Sequence, residues 1–154
     1  MTWPGLAIAV HVLGVIWWIG GLAFVTLVYI PALRRAELGD HPHALLAPVE
    51  RRFAPQARIA VALVGASGAY LLYATGLWHV LGRGAWWWLD AMIGYWLIFA
   101  VLLFVVEPLG LLERVVFAES EPRIAWRRFH VVHAVLLALA VVVVGTSVAA
   151  NHGL

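Results

Sequence analysis

The chain has 154 residues, 64% of them hydrophobic and 12% charged, with a mean hydropathy of +0.95. Soluble domains carry roughly 45–50% apolar and about 25% charged residues, so the departure is in the direction that lipid demands. A net charge of +2 gives no reason to expect a nucleic-acid partner, and the absence of cysteine excludes disulfides, thiolate metal sites and thiol catalysis together.

A membrane-spanning helix needs about 20 consecutive apolar residues. The first such run covers about residues 3–33, is interrupted only by His11, and closes on Pro31-Ala32-Leu33-Arg34-Arg35. No basic segment precedes it and it is too long for the apolar core of a signal peptide, so it is expected to be retained as an anchor. The longest connection follows, where His41, Pro42, His43 and Pro48 predict an irregular loop. The second helix is predicted over about residues 59–78, and Gly82-Arg83-Gly84 makes a tight turn into the third, over about 86–112. Ser120-Glu121-Pro122 turns the chain again, with Pro122 suited to a first helical turn, and the fourth helix covers about 124–150. The expected fold class is all-α: an integral membrane four-helix bundle in a single domain.

Arginine placement orients that bundle. Arg34, Arg35, Arg51, Arg52 and Arg58 surround the first loop, Arg114, Arg123, Arg127 and Arg128 the third, and Arg83 stands alone in the second. The positive-inside rule then puts loops one and three in the cytoplasm and both termini on the periplasmic side of a bacterial inner membrane. Trp3, Trp78, Trp86, Trp87 and Trp88 all fall at the opposite boundary, as an interfacial aromatic belt should.

His11 is the ionisable residue set deepest in an apolar run, roughly 12 Å inward of Trp3 at the helical rise. An ionisable group at such depth is by default a functional-site hypothesis, and an unpaired charge there is expensive, so a neutral imidazole is expected. Gly14 and Trp18 follow on the same helical face, at i+3 and i+7. Gly14 leaves space for a flat ring or for a neighbouring helix; the plain alternative for His11 is a neutral histidine bonded across the bundle. Met92 lies about 9 Å inward of Trp86, close to the depth of His11, which makes it a candidate second axial ligand or an ordinary core methionine. His79, Asp90 and His152 ring the same mouth, and His79 reads as a partner of the tryptophan belt.

A second constellation lies toward the arginine-bearing end. His130 and His133, at i and i+3, share a face of the fourth helix, and Glu107 reaches a similar depth from the third. Two imidazoles and a carboxylate from facing helices can ligate a divalent metal. The alternative is a polar network in which Glu107 pairs with Arg58, Arg127 or Arg128, or in which the arginines extend to phosphate headgroups.

The run His11-Val12-Leu13-Gly14-Val15-Ile16-Trp17-Trp18-Ile19-Gly20-Gly21, continuing to Pro31 through Arg35, resembles CopD-like (copper-resistance D type) membrane proteins. Arg52-Phe53 and Ser67-Gly68 extend the likeness, which covers the first two helices. The histidine followed by tryptophan and glycines is also similar to HemJ-type protoporphyrinogen oxidases, which bind haem within four helices. The resemblance implies either copper uptake or haem. Copper(I) sites favour methionine and cysteine, and this chain has no cysteine and only Met92 internally, whereas haem proteins use His or Met axial ligands. The expectation is therefore a b-type haem held through His11, with electron transfer to quinone or to a redox partner protein. A copper-binding transport or resistance protein is the first alternative, using His11 and the Glu107/His130/His133 set. A cofactor-free accessory subunit is the second, with Gly65, Gly68 and Ala69 serving contact with a neighbour, including a second copy in a homo-oligomer.

Overall fold

The computed structural model describes residues 3–35, 42–111 and 122–151. Among these residues every regular element is helical. Four helices are long and apolar enough to cross a membrane: Trp3–Arg34, Arg51–Thr75, Trp87–Val106 and Ile124–Ala150. We call the first α1 (Trp3–Arg34), the second α2 (Pro42–Thr75), the third α3 (Trp87–Val106) and the fourth α4 (Pro122–Asn151). The hydropathy pattern thus places all four spans. Most of their large apolar side chains face outward, Trp3, Leu13, Ile16, Leu27 and Val141 among them, as in a bundle whose solvent is lipid.

Packing is strongest within two hairpins, α1 against α2 and α3 against α4, which then lie against each other. The shared core is built on Trp18 and Leu22 of α1, Ala60, Val61 and Val64 of α2, Tyr95 and Phe99 of α3 and Ala140 of α4. Trp18 stacks on Tyr95 with ring centroids 5.5 Å apart and meets the edge of Phe99 at 4.9 Å. The Tyr95 hydroxyl donates to Leu136 O at 2.9 Å, and the Trp96 indole N–H donates to Val61 O at 2.9 Å, so α3 is tied to both neighbours.

Close approach is made possible by glycines, each filled from within the chain. A methyl group at Gly14 would lie 2.9 Å from Val64 Cγ2, and one at Gly21 would lie 2.7 Å from Phe53 Cζ. One at Gly65 would overlap the Trp96 indole. Gly65→Ala is accordingly expected to cost about 1–3 kcal/mol, because a packed indole anchored by a hydrogen bond must shift. Gly94 faces open space and its alanine variant should be neutral or slightly stabilising. Unfolding of the two variants in detergent checks the contrast, and equal stabilities would mean that the Trp96 contact is soft.

Two departures from the sequence expectation have local causes. The stretch around Pro48, expected as an irregular loop, is helical from Pro42 onward, with Pro48 and Pro55 inside the helix. Pro42 starts that helix, where a missing N–H costs nothing. Trp88, assigned to the interfacial belt, turns inward and is buried, while Trp3, Trp78 and Trp87 are exposed as expected. The helix ends follow turn chemistry: α2 stops at Gly76, in the left-handed region at φ 72°, and a short 3-10 turn over Leu77–Val80 follows. At the next turn, the Gly82 N–H donates to both carboxylate oxygens of Asp90, at 3.1 and 3.2 Å.

The last feature of the fold is a pair of widened turns. Val25–Tyr29 in α1 and Leu102–Val106 in α3 wind as π-helix. Each stands just before a proline, Pro31 and Pro108, at the same spacing. A proline ring collides with the carbonyl four residues back and offers no N–H, and widening the turn relieves the collision. In α3 the N–H of Glu107 bonds Leu102 O at 2.9 Å. The next donor in that register would be residue 108, which is proline, so that register offers Leu103 O no donor.

Candidate functional site at the seam of the first hairpin

His11 lies half-buried where α1 meets α2. Its Nδ1 is 3.1 Å from Val64 O and 3.0 Å from Ser67 Oγ. A carbonyl only accepts, so Nδ1 carries the proton and donates to Val64 O. The Ser67 hydroxyl spends its own hydrogen on the backbone one turn back, at 2.5 Å from Leu63 O, and so receives the imidazole on a lone pair. Gly68 completes the seat: a methyl group there would lie 3.1 Å from His11 Cε1. In a neutral ring so held, Nε2 is a lone pair, and no described residue bonds it.

Toward the tryptophan-bearing end from His11, Trp3, Leu6, Ala7 and Val10 of α1 face Leu63, Ala66, Ser67 and Tyr70 of α2 across an open apolar groove of about 390 Å³. Ser67 belongs both to the groove and to the His11 seat. Ser67 is the participant that residue-by-residue reading passes over. A serine in an apolar run is a weak signal by itself, since it can satisfy its hydroxyl on its own helix.

The other residues expected around His11 are occupied differently. Of the two uses foreseen for the space beside Gly14, the neighbouring helix has it, through Val64. Trp18 is packed on Tyr95 and Phe99 in the core, and its buried indole N–H has no acceptor among the described residues. Met92 is partly buried on α3. His79 stacks against Trp78 with centroids 3.4 Å apart, the belt partner it was expected to be. His41 and His152 lie outside the described residues.

Toward the opposite end, Glu107, His130 and His133 each have a partner of their own. Arg58 Nη2 donates to Glu107 Oε1 at 2.9 Å, and Arg58 Nε donates to Leu103 O at 3.1 Å. The second carboxylate oxygen, Oε2, is buried without a partner among the described residues. His130 Nδ1 lies 2.9 Å from Arg34 Nη1. His133 Nδ1 donates to Phe129 O at 2.9 Å, one turn back on its own helix. Among the described residues no three His, Asp or Glu side chains converge as metal ligands. The arrangement is the polar network, with Arg58 as the partner of Glu107.

Four apolar helices and an imidazole seated between two of them define a multi-pass membrane protein with a polar group embedded in its first hairpin. Compared with known families, with characterised proteins and with solved structures, the chain matches none.

Proposed function

We propose that the protein is an inner-membrane redox-cofactor protein that offers His11 Nε2 as an axial ligand, to a b-type haem first of all, for electron transfer. The observation that carries this reading is the seat of Nδ1. An imidazole that donates its Nδ1–H to a backbone carbonyl has its tautomer and orientation fixed, with Nε2 left basic, as metal-ligating histidines typically do.

The packed interior limits where a porphyrin fits. Gly14 is filled and Trp18 is engaged in the core, so the group would lie on the open side of the α1–α2 seam and not among the four helices. Among the described residues His11 alone is placed to hold it, and a second ligand could come from a partner, a second copy of this chain included. Haem so bound would supply one-electron chemistry. The protein's own part is to fix the imidazole, keep it neutral and exclude water with the apolar walls of the hairpin. An absorption spectrum of protein purified after ample haem supply tests the reading: a reducible Soret band is expected, and colourless protein overturns it. Copper handling then takes its place, testable by metal analysis of the same sample.

The cofactor-free accessory subunit is favoured by a separate observation, the filling of Gly65 and Gly68 from within the chain, which suits a bundle built for packing alone. We further propose that the arginine-bearing end is cytoplasmic. Reporter fusions at Leu154 should then behave as periplasmic, and a cytoplasmic readout would reverse the orientation.

A further inference from the structure

We propose that Arg34, His130 and Arg127 form a binding site for the phosphodiester headgroup of an anionic phospholipid, at the seam where the end of α1 meets α4. Arg34 is the last residue of its span, and His130 lies about 9 Å inside the span that begins at Ile124. That is the depth at which acyl chains give way to headgroups. Arg34 Nη1 and His130 Nδ1 are 2.9 Å apart. A guanidinium can only donate, so Nδ1 is the acceptor, the ring is neutral, and its proton sits on Nε2. The contact is therefore one-sided: it orders the arginine against α4 without neutralising it.

What remains around the pair is a set of donors. Arg34 keeps its other N–H groups, His130 keeps Nε2–H, and Arg127 stands one turn earlier on the same side of α4 and is exposed. Among the described residues neither Arg34 nor Arg127 has a carboxylate partner, and Glu107 is committed to Arg58. An ordered guanidinium, a second one a turn away and a neutral N–H call for an anion with several acceptor oxygens. At a membrane boundary, between two transmembrane helices, a lipid phosphate meets that description. The site differs from a general arginine excess in having one arginine fixed by a cross-helix hydrogen bond.

The test uses the full chain in neutral detergent, titrated with phosphatidylglycerol, phosphatidylcholine or inorganic phosphate, with bound lipid read by native mass spectrometry. Phosphatidylglycerol should bind in preference to phosphatidylcholine. Arg34→Gln should weaken that binding about fivefold, and Arg34→Gln with Arg127→Gln about 25-fold, at the usual worth of an arginine near an anionic surface. Arg34→Lys, which keeps the charge, should lose less than Arg34→Gln and guards against a folding artefact. Arg51→Gln, at the same end but outside the seam, should change little. An Arg51→Gln loss equal to that of Arg34→Gln overturns the site in favour of diffuse charge. Equal binding of the two lipids overturns it as well, as does binding of inorganic phosphate without phosphatidylglycerol.

Discussion

Replacing His11 with alanine is expected to abolish the Soret band of the purified protein, or to shift it strongly. The imidazole has one ring nitrogen, Nε2, both fixed in direction and left without a hydrogen, because Val64 O and Ser67 Oγ take up Nδ1–H. Ser67→Ala should act in the same direction but more weakly: it removes one of two acceptors and leaves the carbonyl, so the ring keeps its tautomer. Losing a partner of this kind typically costs 10–100-fold in ligand affinity. His130→Ala should leave the spectrum nearly unchanged, since His130 is bonded to Arg34 toward the other end. An unshifted spectrum in a coloured His11→Ala protein would keep the cofactor and move the ligand elsewhere.

Arg58→Leu is expected to give the largest loss of stability among single substitutions at the arginine-bearing end. It strands the Glu107 carboxylate and removes a side-chain donor to Leu103 O. Breaking one partner of a buried pair costs about 3–5 kcal/mol. With the side chains 34% and 21% exposed, the lower end of that range applies. Glu107→Gln should cost less, since an amide oxygen still accepts from the guanidinium. The double variant Arg58→Leu/Glu107→Leu should lose less than the sum of the two single leucine variants, because neither charge is then left alone. Unfolding in detergent measures the cycle. A single-variant loss under about 1 kcal/mol would class the pair with screened surface bridges.

The spans were legible in the sequence because lipid imposes a one-dimensional rule, a run of apolar residues long enough to cross, and four runs obey it. His11 was legible for the same reason: it breaks the rule at depth. Its partners were not legible residue by residue. Val64 contributes a backbone carbonyl, which no sequence pattern advertises, and Ser67 was visible only as part of the Ser67-Gly68 resemblance. The residues behind that resemblance meet in pairs across the first hairpin, Gly21 with Phe53 and His11 with Ser67 and Gly68, so the motif describes a packed seam as much as a ligand site. The Glu107/His130/His133 set shows the limit of depth arithmetic. Similar depth does not bring side chains together, and an arginine within reach claims a carboxylate before two neutral imidazoles do.

The widened turns before Pro31 and Pro108 have a consequence for how this chain can vary in length. A regular α-helix turns about 100° per residue, so one surplus residue would reset the angular position of everything beyond it unless a widened turn takes it up. Deleting any one residue between Leu102 and Val106 would let α3 wind regularly. Because the widened turn already absorbs the surplus residue, Glu107 would keep nearly its angular position beside Arg58, while the proline would return to its collision with the preceding turn. The spare residue is therefore held by the proline and not by the ion pair: removing it costs the relief of Pro108 and leaves Glu107 on the side of Arg58.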